Sequence, residues 1–75
     1  MQNLSRLGRF LHENGVRPVE LANLTGVSRQ HLYNLRYGRA EATRPIVIWI
    51  TLGCRRILQR EVLAGELFDF GDKRQ

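Results

Sequence analysis

Residues 18–38, PVELANLTGVSRQHLYNLRYG, constrain this chain more than any other stretch. They read as a short helix, a tight turn and a second helix. Pro18 has a fixed φ and no N–H, which suits the first position of a helix. Ala22 lies four residues before Gly26, and its methyl group lets two helix backbones cross closely. Thr25-Gly26-Val27 supplies the turn, because Gly26 takes positive φ cheaply and so ends the first helix. Ser28 then offers its hydroxyl as N-cap to a helix beginning at Arg29. Leu32 and Leu35 are spaced to point back at Leu21 and Leu24. Gly38 is a second helix stop. Each landmark is common alone; the series in this order is not.

That order describes a helix-turn-helix, the arrangement that presents its second helix to a DNA groove. GVSRQHLYNLRYG, with ELAN ahead of it and a basic loop behind, resembles the lambda-repressor/Cro-like (XRE-type) helix-turn-helix family of phage and bacterial regulators. The resemblance covers residues 4–68. It implies an all-α, compact five-helix bundle and double-stranded DNA as partner. It also implies a cytoplasmic, nucleoid-associated protein of bacterial or phage origin.

Length and charge agree with such a reading. Seventy-five residues make one domain, 1–75, with room for only a small core. The net charge is +5 and uneven: residues 1–60 carry ten Arg against three Glu, and residues 61–75 carry two basic groups against four acidic ones. A basic body suits a polyanion on one face. Cys54 is alone, so no intrachain disulfide can form and a reducing cytoplasm is its natural setting. With Ile50, Ile57 and Leu58 near it, Cys54 is expected to be a small buried hydrophobe. The apolar run 46–52 is too short to span a bilayer, and Met1 leads into a polar, mixed segment rather than a signal-peptide core. His12 and His31 are far apart, and CxxC, HExxH, GxGxxG and P-loop patterns are missing. The carboxylates are scattered. No enzyme activity, metal or cofactor is therefore expected.

In chain order, helices are expected at about 4–14, 18–25, 29–37, 45–58 and 63–68. Asn3 caps the first, whose Leu4, Leu7 and Leu11 share a face flanked by Phe10. Gly8 within it costs about 1 kcal/mol relative to Ala. In the second, Leu21 and Leu24 face inward, and Glu20 and Asn23 face water. The fourth opens at Pro45 behind Thr43 and is apolar on nearly every side over 46–52. Part of that surface is expected to form an exposed stripe that invites another copy of the chain. Gly53 either kinks or ends this helix, and Arg55, Arg56 and Arg60 lie on its polar side. VLAGELF resembles the family's closing segment, with Leu67 and Phe68 over the open end of the core and Phe70 either frayed or docked on a partner.

The candidate site is the outer face of the third helix. With Leu32, Leu35 and Arg36 on its inner side, it presents Arg29, Gln30, Tyr33, Asn34 and Tyr37. Gln and Asn can pair with adenine N6 and N7, and Arg with guanine O6 and N7. The family's base-reading positions fall here on Arg29, Gln30, Tyr33 and Asn34. His31 faces either the groove edge or the second helix. Tyr33 stacks on sugar, donates to phosphate or touches a thymine methyl. The expected backbone contacts are Arg17, Pro18, Ser28, Tyr37, Arg39 and Arg44. In this family the N-terminus of the second helix, here Pro18, abuts a phosphate, and Arg17 stands beside it. Ser28 meets a phosphate or a thymine methyl, and Tyr37 a phosphate or the protein body. The family's basic loop, here RAEATR over 39–44, follows the DNA backbone, and Arg44 sits where an arginine leans toward the minor groove.

Two functions follow. One is a sequence-specific regulator, a repressor where its operator overlaps a promoter, bound as a homodimer to an inverted repeat. The other is a protein-interaction or antitoxin-like helix-turn-helix module with weak or no DNA binding.

Overall fold

Ser5, not Asn3, starts the first helix. The computed structural model describes residues 3–69. Among them it has five helices and no strand: α1 (Arg6–Glu13), α2 (Pro18–Thr25), α3 (Arg29–Arg36), α4 (Arg44–Leu58) and α5 (Ala64–Leu67). Ser5 Oγ accepts the Gly8 N–H at 3.2 Å. The Ser5 N–H donates to Arg36 O at 2.7 Å, and its hydroxyl lies 2.7 Å from Leu35 O. One serine thus caps α1 and satisfies the carbonyls that α3 leaves open at its end. This double use is why α1 begins after Leu4 and not at it.

The connection between α2 and α3 is built from local hydrogen bonds. Gly26 has φ 80° and closes α2 through its N–H to Ala22 O at 2.9 Å. Thr25 Oγ1 donates to Leu21 O at 2.8 Å and accepts the Val27 N–H at 3.2 Å, which fixes the turn. Ser28 Oγ then accepts the His31 N–H at 3.1 Å and opens α3. At the far end of α3, Gly38 has φ 73°, its N–H donates to Leu35 O at 3.3 Å, and the Arg39 N–H donates to Asn34 O at 2.7 Å. That is a Schellman pair, which glycine permits at this position.

α4 begins at Arg44, with Pro45 second and Thr43 ahead of it making no side-chain cap. It does not end at Gly53, but continues to Leu58. Gly53 is buried, and a Cβ there would lie 2.7 Å from Leu21 Cδ1 and 2.9 Å from Thr25 Cγ2. It is the notch into which α2 seats. Gly8 serves α3 in the same way, since a Cβ on it would come 2.5 Å from Arg36 O. In both helices the propensity cost of glycine is offset by close packing.

α2 packs on α3 and α4, α1 on α3 and α5, and α4 on α5. The centre holds Leu7, Leu11, Leu21, Leu32, Ile50 and Leu67, all buried. Each such side chain contributes about 1.5–3 kcal/mol as an upper estimate. Cys54 is buried among them, and burial pushes its thiol from 9.0 up to about 11. It is neutral at physiological pH and acts as a packing group.

Two side chains depart from expectation. Leu24 is exposed, because α2 turns Leu21 and Ala22 inward and leaves Leu24 beyond that face. Arg55 is drawn in toward α5: its Nη2 donates to Val62 O at 3.2 Å and lies 3.6 Å from Glu61 Oε2. Arg60 reaches Glu66 at 3.6 Å, and Glu66 accepts the Leu63 N–H at 3.0 Å, which starts α5 one residue later than expected. Val62 and Leu67 are buried and Phe68 is half-buried. Phe70 lies outside the described residues. Among those residues no helix is long and apolar enough to cross a membrane.

Candidate nucleic-acid interface

Arginine occupies the N-cap or first position of α1, α2, α3 and α4: Arg6, Arg17, Arg29 and Arg44. A cation there opposes the helix dipole, at a cost of about 0.3–1 kcal/mol each on an exposed surface. Arg6 has an internal use, donating to Gly65 O at 3.0 Å and tying α1 to α5. Arg17, Arg29 and Arg44 are exposed and make no side-chain hydrogen bond or ion pair among the described residues. No side chain caps α2, although Glu20 in its first turn partly compensates the dipole. These three guanidinium groups do nothing for the fold that the structure reveals.

Gln30 is exposed and Asn34 half-buried on α3. Gln30 Nε2 donates to Asn34 Oδ1 at 3.3 Å, an i,i+4 bond that holds the two amides side by side. The remaining groups of that pair include Gln30 Oε1 as acceptor and Asn34 Nδ2 as donor. Arg29 precedes them at the first helical position, and His31 is half-buried. Ser28 is exposed, and its hydroxyl proton is left available after the oxygen caps α3. Pro18 is half-buried at the first position of α2.

Toward the end of α3 the rings and guanidinium groups interleave. Tyr33 and Tyr37 have centroids 4.8 Å apart at 51°. Arg39 lies 5.8 Å from the Tyr33 ring centre, and Arg36 lies 5.3 Å from that of Tyr37. Both tyrosines are half-buried, so neither projects freely as the outer-face assignment implied. This stack was not foreseen. The α3 sequence alone places Tyr33 and Tyr37 one turn apart, but the return of Arg39 depends on the Gly38 turn. Arg39, expected on the DNA backbone, is held against Tyr33, and Tyr37, expected against a phosphate or the protein body, packs against both Tyr33 and Arg36.

Ser5 was also missed as the group that fixes the C-terminus of α3. Its signal was available, as a hydroxyl residue just ahead of the Leu7, Phe10 and Leu11 pattern. Among the described residues, no three His, Cys, Asp or Glu side chains gather where they could hold a metal ion.

The fold is that of a small all-helical protein whose α3 bears two amides, two phenols and Arg29, with Arg17 and Arg44 unpaired at the starts of α2 and α4. No family model, curated protein or solved structure matches the chain.

Proposed function

We propose that this protein is a sequence-specific double-stranded DNA-binding transcriptional regulator of the lambda-repressor/Cro-like type. It inserts α3 in the major groove and binds as a homodimer to an inverted repeat in the cytoplasm. The observation that supports this most is the set of unpaired arginines at the starts of α2, α3 and α4. Their placement is unfavourable for an isolated helix and favourable against a polyanion, whose phosphates meet both the guanidinium and the free N–H groups.

Arg17, Arg44 and the Ser28 hydroxyl take phosphate positions, and Arg39 joins them from its seat on Tyr33. Pro18 brings the start of α2 to the backbone, and Tyr37 orients Arg36 and Tyr33. Base choice falls to Arg29, Gln30, Tyr33 and Asn34. With Gln30 Nε2 engaged on Asn34, Gln30 Oε1 and Asn34 Nδ2 form an acceptor–donor pair matching adenine N6 and N7. Arg29 suits guanine O6 and N7. The role is binding, with no catalysis and no cofactor.

The alternative, a protein-interaction or antitoxin-like module, draws on the exposed apolar surface of α4 and leaves the arginine placement unexplained.

Duplex binding measured against salt tests the proposal. Affinity should fall steeply as salt rises, and Arg44→Ala should weaken all sequences alike and flatten the log–log slope by about one unit. An unchanged slope removes Arg44 from the backbone set. No binding to any duplex at low salt overturns the reading in favour of the interaction module.

A further inference from the structure

Among the described residues, five of the six exposed large apolar side chains gather at the outer side of α4, Val19 of α2 being the exception. Ile48, Trp49 and Leu52 are 49%, 50% and 50% exposed. Leu24 of α2 joins Trp49 and Leu52 around one shallow groove, and Leu63 joins Ile48 and Leu52 around another. Leu52 belongs to both, so it is the ridge of one continuous patch. We infer that this face is the self-association surface of the protein, covered by the same face of a second copy with the two α4 helices antiparallel.

Two observations select a second copy. The first is charge. Arg56 lies one heptad beyond Trp49 on the same side of α4, is exposed, and has no hydrogen-bond or ion-pair partner among the described residues. In an antiparallel pair centred beside Leu52, Arg56 of each copy falls over the Trp49 ring of the other. Two symmetric cation–π contacts then flank an apolar centre. A parallel pair sets Arg56 against Arg56 instead. The face is therefore complementary to itself in one orientation only. The second is area. The five half-exposed side chains present on the order of 500 Å² per copy, so a pair that covers them fully buries about 1,000 Å², the lower limit for a specific interface. That is enough for a weak, reversible dimer.

None of the four base-reading residues lies in this face. Moreover, α3 packs chiefly on α1 and α2 while α4 packs on α2 and α5. The inference deepens the regulator reading, and rests on it for the need of two recognition helices.

Trp49 is the only tryptophan in the chain, so its emission reports on this patch directly. The experiment is sedimentation equilibrium with tryptophan emission over a concentration series of the whole chain, in the absence of DNA. The expected result is a monomer–dimer equilibrium with the emission maximum moving to the blue in step. Leu52→Glu and Arg56→Glu should each raise the dimer dissociation constant tenfold or more. Helical circular dichroism should be unchanged, and Arg56→Glu decides if Leu52→Glu fails to fold. A monomer with constant emission up to millimolar concentration overturns the inference. So does blue-shifted emission in a monomer at every concentration, which means that the patch is already covered within one chain. Association unaffected by Leu52→Glu or Arg56→Glu overturns it as well. Because no DNA is present, loss of duplex binding with intact dimerisation fails the regulator reading alone.

Discussion

Leu21→Ala is expected to lower the unfolding free energy by about 2–5 kcal/mol, a large share of what a domain this small possesses. Leu21 is fully buried where α2 meets α4, with its Cδ1 aimed at the space a Gly53 Cβ would need. Gly53→Ala alone should also destabilise, by about 1–3 kcal/mol, although alanine is the better helix former by about 1 kcal/mol. The added methyl meets Leu21 Cδ1 at 2.7 Å and Thr25 Cγ2 at 2.9 Å, and these packed side chains must shift to admit it. In the double variant the Leu21 obstruction is gone while the Thr25 contact remains. The combined loss should then fall short of the sum by about 0.5–3 kcal/mol. Urea melts of the four proteins measure this. Strict additivity would remove Gly53 as the notch for α2.

Gln30→Ala carries the largest expected effect on recognition: about 1–3 kcal/mol on the preferred duplex and little on random sequence. Gln30 is exposed and its side-chain bond is to Asn34, so the fold should be indifferent to its loss. Asn34→Ala should cost a similar amount, and the two should not add, because each amide orients the other. Titrations of preferred and scrambled duplexes at one salt concentration make the comparison. An equal loss on both duplexes would sink the base-reading role.

The α2–turn–α3 segment was legible because its boundary signals act locally. Pro18, Gly26 and Ser28 each satisfy or forbid particular backbone bonds, and the observed limits of α2 follow from them. Once Ser28 fixes where α3 begins, the burial of Leu32 and Leu35 sets its rotation and exposes Arg29 and Gln30. Signals that depend on a distant partner were not legible. Asn3 and Ser5 are both acceptable caps, and the choice falls on Ser5 because α3 ends beside it. Gly53 reads as a kink or an end of its helix until α2 is laid across it. Leu24 fits an inward i,i+3 pattern with Leu21, yet α4 crosses α2 at Leu21 and Thr25 and leaves Leu24 at the rim of that crossing. In the Arg39–Tyr33–Tyr37–Arg36 stack only the approach of Arg39 was hidden, because it depends on the direction in which the chain leaves the Gly38 turn.

Selection of binders from a random pool of DNA duplexes tests the central claim most directly. A protein that reads sequence with α3 as a homodimer should enrich one motif. That motif should be two-fold symmetric, with half-site centres about one helical turn apart and adenine and guanine contacts in each half. A pool that stays random at low salt would contradict it.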